Sequence, residues 1–342
     1  MIRILIADDS ELTRVVLRDL LSQDAGIVIA GEVCDGRAAV EQTARLKPDL
    51  VIMDVMMPVM DGLEAVAEIM AATPTPILML SANTDPQDSR SAFAAIKLGA
   101  LDVMAKPTGV VTKAFSQIAS QLIAKVKSLS RIRVIHHYRV QRPKVAKPAV
   151  PYSAGPRRIL AIGASTGGPK AVMQLLQDLP RDLAAAVLVV QHIADGFAPG
   201  FADWLDRESA LSVRLAEGGS ELRAGTVLVA PNKAHLTVKS NRIVLEDSPP
   251  LHNCRPAVDA MFHSLAGQNL AAETVAVLLT GMGTDGAAGL GALREQGAYT
   301  IAQDEASSAI FGMPKAAVDR GAVTQVLPLE QIAGVVCRLF AR

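Results

Sequence analysis

The chain has 342 residues, half of them hydrophobic and a fifth charged, a globular composition long enough for two domains rather than one. Its 34 Lys/Arg balance 34 Asp/Glu, and no apolar run approaches the length of a membrane span, so direct membrane insertion is not expected. Three scattered cysteines, Cys34, Cys254 and Cys337, fit reduced thiols in a cytoplasmic protein better than a disulfide framework, and the first residues show no signal-peptide pattern.

Charge divides the chain into three. Residues 1–127 hold 12 basic against 16 acidic residues, residues 128–158 hold 8 against none, and residues 159–342 hold 14 against 18. The basic stretch also carries Pro143, Pro148, Pro151 and Pro156, without an aromatic platform beyond Tyr138 and Tyr152. It reads as a linker over 128–156 between a domain at 1–127 and another at 157–342. The acidic second domain argues against a DNA-binding output, so no nucleic-acid partner is expected.

In chain order, the first domain offers strands at Arg3–Ala7, Ile27–Val33, Leu50–Met53, Pro76–Leu80 and Leu101–Met104. Helices are expected near 11–22, 36–46, 61–71, 86–98 and 110–128, the last with Val111, Phe115, Ile118, Leu122 and Val126 on one face. Five β/α repeats predict a flavodoxin-like, doubly wound parallel sheet with its ligand site at the strand carboxyl ends. Asp8 and Asp9 follow the first strand, Asp54 the third, Ser81 the fourth and Lys106 the fifth. Any one Asp could cap a helix. Three carboxylates at one edge instead call for a hard divalent cation such as Mg²⁺. A carboxylate beside that ion can take up a phosphoryl group, whose oxygens a lysine and a serine would hold.

The segments Ile6-Ala7-Asp8-Asp9-Ser10, Met53-Asp54-Val55-Met56-Met57-Pro58, Ser81-Ala82 and Lys106-Pro107 resemble the response-regulator receiver family. The resemblance implies Asp54 as phosphoacceptor, and Asp8, Asp9, Asp54 and the Met56 carbonyl as Mg²⁺ ligands. It also implies Ser81 as switch hydroxyl and Lys106 as phosphate contact. One departure is Val103, where many receivers carry an aromatic that moves with the switch.

In the second domain Arg158–Ala164 reads as a strand running into Gly163-Ala164-Ser165-Thr166-Gly167 and then a helix over Lys170–Leu179. Such a turn either exposes Ser165 as a nucleophile beside helix N–H groups or lets Ser165 or Thr166 cap the helix. Ala186-Val187-Leu188-Val189-Val190-Gln191-His192-Ile193 reads as a buried-looking strand ending in histidine, and Thr274-Val275-Ala276-Val277-Leu278-Leu279-Thr280 leads into Gly281-Met282-Gly283-Thr284-Asp285-Gly286. If these strands are parallel neighbours, Ser165, His192 and Asp285 meet at one edge. A serine hydroxyl needs an imidazole to take its proton and a carboxylate to orient that imidazole. The glycine pattern at 281–286 with Asp304 also matches a dinucleotide fingerprint, but Asp285 would sit where a pyrophosphate needs only N–H donors. An ordinary α/β-hydrolase places its acid before its histidine; His235, His252 and His263 keep that option open.

Together with Gln191-His192, Pro231-Asn232, Arg255-Pro256-Ala257-Val258-Asp259 and Gln303-Asp304-Glu305, these segments resemble the catalytic domain of the chemotaxis protein-glutamate methylesterases. The resemblance implies a second doubly wound, mostly parallel α/β domain with Ser165 as nucleophile, His192 as base, Asp285 as orienting acid, and Thr166 and Met282 near the oxyanion. It implies a phosphorylation-activated hydrolase that demethylates glutamates of methyl-accepting chemotaxis receptors and deamidates receptor glutamines. It implies a chemotaxis histidine kinase as phosphodonor, no cofactor for ester hydrolysis, and a cytoplasmic protein associated with receptor arrays. Arg255 and Asp304-Glu305 are expected to fix loops. The alternative is a phospho-regulated, non-catalytic adaptor.

Overall fold

In the computed structural model the chain forms two compact units, residues 1–140 and 141–342. The structure describes residues 1–82, 86–107, 113–132, 134 and 157–341. Most of the expected linker, with its prolines and both tyrosines, lies outside the described residues, as do Val111 and the side chain of Phe115.

The first unit runs β1 (Ile2–Ala7), α1 (Glu11–Leu21), β2 (Ile27–Val33), α2 (Gly36–Leu46), β3 (Leu50–Asp54), α3 (Gly62–Ala72), β4 (Ile77–Ser81), α4 (Pro86–Leu98), β5 (Asp102–Ala105) and α5 (Lys113–Leu129). Its five strands pair in parallel in the order β2-β1-β3-β4-β5. A parallel sheet covered on both faces buries whole strands, and β3 and β4 are buried at every position. Ser10, Asp35 and Asp61 cap α1, α2 and α3 by accepting the N–H of Thr13, Ala38 and Glu64, each cap contributing about 1 kcal/mol. Leu122 and Val126 of α5 are fully buried, as their helical spacing requires.

The second unit contains β6 (Ile159–Ala164), α6 (Gly168–Gln177), β7 (Ala186–Gln191), α7 (Ala198–Glu208), β8 (Ser212–Leu215), β9 (Thr226–Val229), β10 (His235–Lys239) and β11 (Arg242–Glu246). It continues with α8 (Val258–Gly267), β12 (Thr274–Leu278), α9 (Ala287–Glu295), β13 (Tyr299–Gln303), α10 (Met313–Asp319), β14 (Gln325–Leu327) and α11 (Leu329–Phe340). Seven strands pair in parallel in the order β14-β13-β12-β6-β7-β9-β8. The antiparallel strands β10 and β11 form a separate hairpin, turned at Ser240 and Asn241 with φ of 50° and 59°. Among the described residues no helix is long and apolar enough to cross a membrane.

Candidate active site

Strand order reverses beside β1 in the first sheet, where β2 lies on one side and β3 on the other. A crevice at the carboxyl ends of the strands forms at such a point. Asp8 leaves β1 there, Asp54 ends β3, Ser81 ends β4 and Lys106 follows β5. Asp54 and Ser81 are thus the last strand residues rather than the first loop residues. Lys106 Nζ lies 2.8 Å from both Asp8 Oδ2 and Asp54 Oδ2. Neither Asp8 nor Asp9 caps α1, because Ser10 holds that position; Asp8 Oδ1 accepts the Ser10 N–H at 2.9 Å. Arg14 Nη1 donates to the carbonyls of Asp8 and Asp9 at 2.7 and 3.2 Å and fixes the turn that carries both.

Burial, helped by the charges of Asp8 and Asp9, pushes the Asp54 carboxyl up to about 6 against the bond from Lys106. Burial disfavours the Lys106 ammonium, yet Asp54 and Asp8 outweigh it and raise its pKa. Ligand oxygens of Asp8, Asp9 and Asp54 all lie within 4.8 Å of one another. Asp8 Oδ2 is buried and, among the described residues, has the Lys106 ammonium at 2.8 Å as its one ion-pair partner. Crowded carboxylate oxygens with an under-used acceptor suit a hard divalent cation. The Met56 side chain is exposed, and Ser81 and Val103 are buried.

In the second sheet the reversal falls beside β6, flanked by β12 and β7. Ser165 follows β6, His192 follows β7 and Asp285 lies in the loop after β12, so all three reach the same edge. The His192 N–H donates to the Ala164 carbonyl at 3.0 Å and the Ser165 N–H to the Thr280 carbonyl at 3.0 Å. The loops after β7 and β12 are therefore stitched to the turn that carries Ser165. That turn is capped at Gly167, with φ of 74° and no side-chain cap bond, so neither Ser165 nor Thr166 caps α6.

His192 Nε2 lies 2.7 Å from Asp285 Oδ2. The buried Asp285 carboxylate also accepts the Val258 and Asp259 N–H groups, at 2.7 and 2.9 Å, at the N-terminus of α8. Burial works against its charge, but the bond to His192 and the two N–H donors outweigh it and hold its pKa below the usual range. Burial likewise opposes the imidazolium, yet contact with Asp285 and Cys254 pushes His192 up to about 9. Among the described residues the Ser165 hydroxyl makes no hydrogen bond to the ring; Nδ1 faces Cys254 Sγ at 3.7 Å. Thr166 is buried and Met282 half-exposed beside this edge.

The competing readings do not fit this geometry. Asp304 Oδ1 accepts from the backbone N–H and the hydroxyl of Ser307 and so braces its own loop. His235 is clamped between the Ala257 N–H and the Pro249 carbonyl, and His252 pairs with Asp259. The acid that meets His192 follows it in the chain. Arg255 ties its loop to Asp247 and the Ser248 carbonyl.

Several residues order the site without a catalytic role in the sequence reading. Gln191 Nε2 donates to the carbonyls of Ser165 and His192 at 2.7 and 3.0 Å, joining two turns. The Thr280 hydroxyl donates to the Thr166 carbonyl at 3.0 Å and accepts the Ile310 N–H at 2.9 Å. Gln303 Oε1 accepts the Thr280 N–H, and Asn232 Oδ1 accepts those of Gly196 and Ala198 beyond His192. Gln191, Asn232 and Gln303 are signalled by the segments that carry the family resemblance, whereas Thr280 has no signal beyond closing a hydrophobic run.

The acidic, lysine-bearing crevice thus lies at the edge of one parallel sheet and the Ser/His/Asp cluster at the edge of the other. Residues 4–114 match the response regulator receiver domain and residues 160–336 match CheB methylesterase. The chain is 45% identical over 331 residues to protein-glutamate methylesterase/protein-glutamine glutaminase 2 of Anaeromyxobacter dehalogenans, covering 97% of this chain and 95% of that one. It is 41% identical to the protein of that name from Symbiobacterium thermophilum, over 98% and 96% of the two chains. The crystal structure of the Thermotoga maritima CheB methylesterase catalytic domain superposes with a TM-score of 0.52 and 36% identity, covering 54% of this chain and 98% of that one. The chain belongs to the family of receiver-linked protein-glutamate methylesterases/protein-glutamine glutaminases.

Proposed function

We propose that this chain is a phosphorylation-activated methylesterase that hydrolyses glutamate methyl esters of methyl-accepting chemotaxis receptors and also deamidates receptor glutamines. The reading assigns the receiver to residues 1–127, the linker to 128–156 and the catalytic domain to 157–342. Ser165 attacks the ester carbonyl and passes its proton to Nδ1 of His192, the nitrogen left over once Nε2 is bonded to Asp285. The oxyanion is received at the turn of Thr166 and the loop of Met282. The imidazolium returns the proton to the leaving methoxide as methanol departs. Water, deprotonated by His192, then releases the glutamate and restores Ser165. The buried pairing of His192 with Asp285 at 2.7 Å, at the sheet edge that carries Ser165, is the observation that supports this assignment most directly.

In the receiver, Asp8, Asp9, Asp54 and the Met56 carbonyl would hold Mg²⁺, which supplies charge neutralisation for phosphoryl transfer. Asp54 accepts the phosphoryl group from a chemotaxis histidine kinase, Lys106 contacts its oxygens, and Ser81 supplies the switch hydroxyl. The working location is the cytoplasmic face of receptor arrays.

The test is methanol release from methylated receptor membranes by the full chain, with and without a small phosphodonor and Mg²⁺. Ser165→Ala should lose about 10⁴-fold in turnover, and Asp54→Asn should lose the stimulation. Near-normal release by Ser165→Ala would refute the nucleophile assignment.

A further inference from the structure

The Asp285 carboxylate can only accept, so His192 Nε2 carries the proton of the neutral ring and Nδ1 keeps the lone pair. That lone pair faces the Cys254 thiol at 3.7 Å. The placement is built by a tight hairpin. Leu251 and Cys254 exchange both backbone hydrogen bonds, at 3.1 and 2.7 Å, around His252 and Asn253 with φ of 51° and 60°. His252 Nε2, at 2.8 Å from Asp259 Oδ2, anchors one side of the hairpin, and Arg255 bonded to Asp247 anchors the other.

We propose that Cys254 and His192 share one proton as a thiol–imidazole pair, so that Cys254 sets the pH range in which the ring serves as base and is the reactive thiol of the chain. Its effect on hydrolysis rests on the reading above, in which His192 is the base; its reactivity as a thiol does not. Proton transfer from Sγ to Nδ1 leaves a thiolate beside an imidazolium that Asp285 stabilises through Nε2. Among the described residues, Asp259, whose carboxylate lies near that of Asp285, is paired with His252, and Asp195, in the loop after His192, lies 3.8 Å from Lys233. The upward displacement of His192, to which Cys254 contributes, agrees with this arrangement. The other two cysteines are internal references: Cys34 is exposed, and burial raises the pKa of the Cys337 thiol.

The experiment treats the full chain with iodoacetamide and follows each cysteine by mass. A carbon–sulfur bond forms as the carbon–iodine bond breaks, iodide leaves, and the thiol proton stays on His192. At pH 7 Cys254 should react about tenfold or more faster than Cys34. His192→Gln should bring it down to the Cys34 rate, and Asp285→Asn should slow it. Separately, the rising limb of the pH profile for methanol release should move to lower pH by about half a unit or more in Cys254→Ala. Reaction of Cys254 at the Cys34 rate, an undiminished rate in folded His192→Gln, or an unmoved limb in folded Cys254→Ala would each overturn the pairing. Full hydrolysis by Ser165→Ala would instead overturn the esterase assignment while leaving the alkylation result intact.

Discussion

Replacing Gly281 by alanine probes how closely the loop after β12 is packed against the Ser165 turn. An added Cβ would lie 2.7 Å from Ser165 Cβ and 2.3 Å from Met313 Sδ. Carbon atoms in contact settle at about 3.5–4.0 Å, so Ser165 must retreat by about 1 Å. It cannot do so freely, because its N–H is bonded to the Thr280 carbonyl. A 1 Å displacement of a reacting group costs about 10²-fold in rate, and overpacking costs about 1–3 kcal/mol. In a unit of this size that lowers Tm by about 2–4 °C for each kcal/mol. Methanol release and circular-dichroism melting of the full chain read both effects. Gly291→Ala is the control: its Cβ would meet only Ala322 Cβ, at 3.6 Å, inside α9. That change should leave turnover intact and stabilise by about 0.4–1 kcal/mol. If Gly281→Ala kept turnover within about threefold and its Tm, the claimed rigidity of the Ser165 turn would be wrong.

The His192 proton should act in opposite senses on activity and stability. Hydrolysis needs the neutral ring and should rise about tenfold per pH unit from pH 7 towards 9. The stability that the charged ring contributes is complete below its unfolded value near 6.5 and is lost as pH rises through about 9. Initial rates and urea midpoints over pH 6–10 check both; an acid-side optimum would contradict the assignment. Thr280→Val keeps the shape but strips partners from the Thr166 carbonyl and the Ile310 N–H, which should destabilise by about 1–3 kcal/mol in urea titrations and lower kcat more than KM. Asn232→Ala frees the N–H groups of Gly196 and Ala198, and faster amide exchange of those two residues is expected.

The alternation of short hydrophobic runs with amphipathic stretches was enough to place β2, α2 and α4 at their observed bounds and most other elements of the first unit within two or three residues. Strand ends were less legible: Asp54 and Ser81 continue the ladder for one residue because a neighbouring strand still pairs with them. The β10–β11 hairpin went unread, since its signal is only a Ser-Asn turn between two five-residue strands.

Ser165, His192 and Asp285 are legible one by one because each lies in the turn or loop that follows a buried hydrophobic run, and a parallel sheet sends such turns to one edge. What strand periodicity cannot supply is which strands are neighbours. The placement of β12 and β7 on either side of β6 brings Asp285 to His192 across 93 residues of chain. Cys254 meets His192 only through the hairpin that folds it back, and Gln191 and Thr280 join turns distant in sequence. Local pattern determines which side chains reach the edge, because it depends on burial along a single strand. Long-range packing decides which of them touch, because contact depends on strand order and loop path.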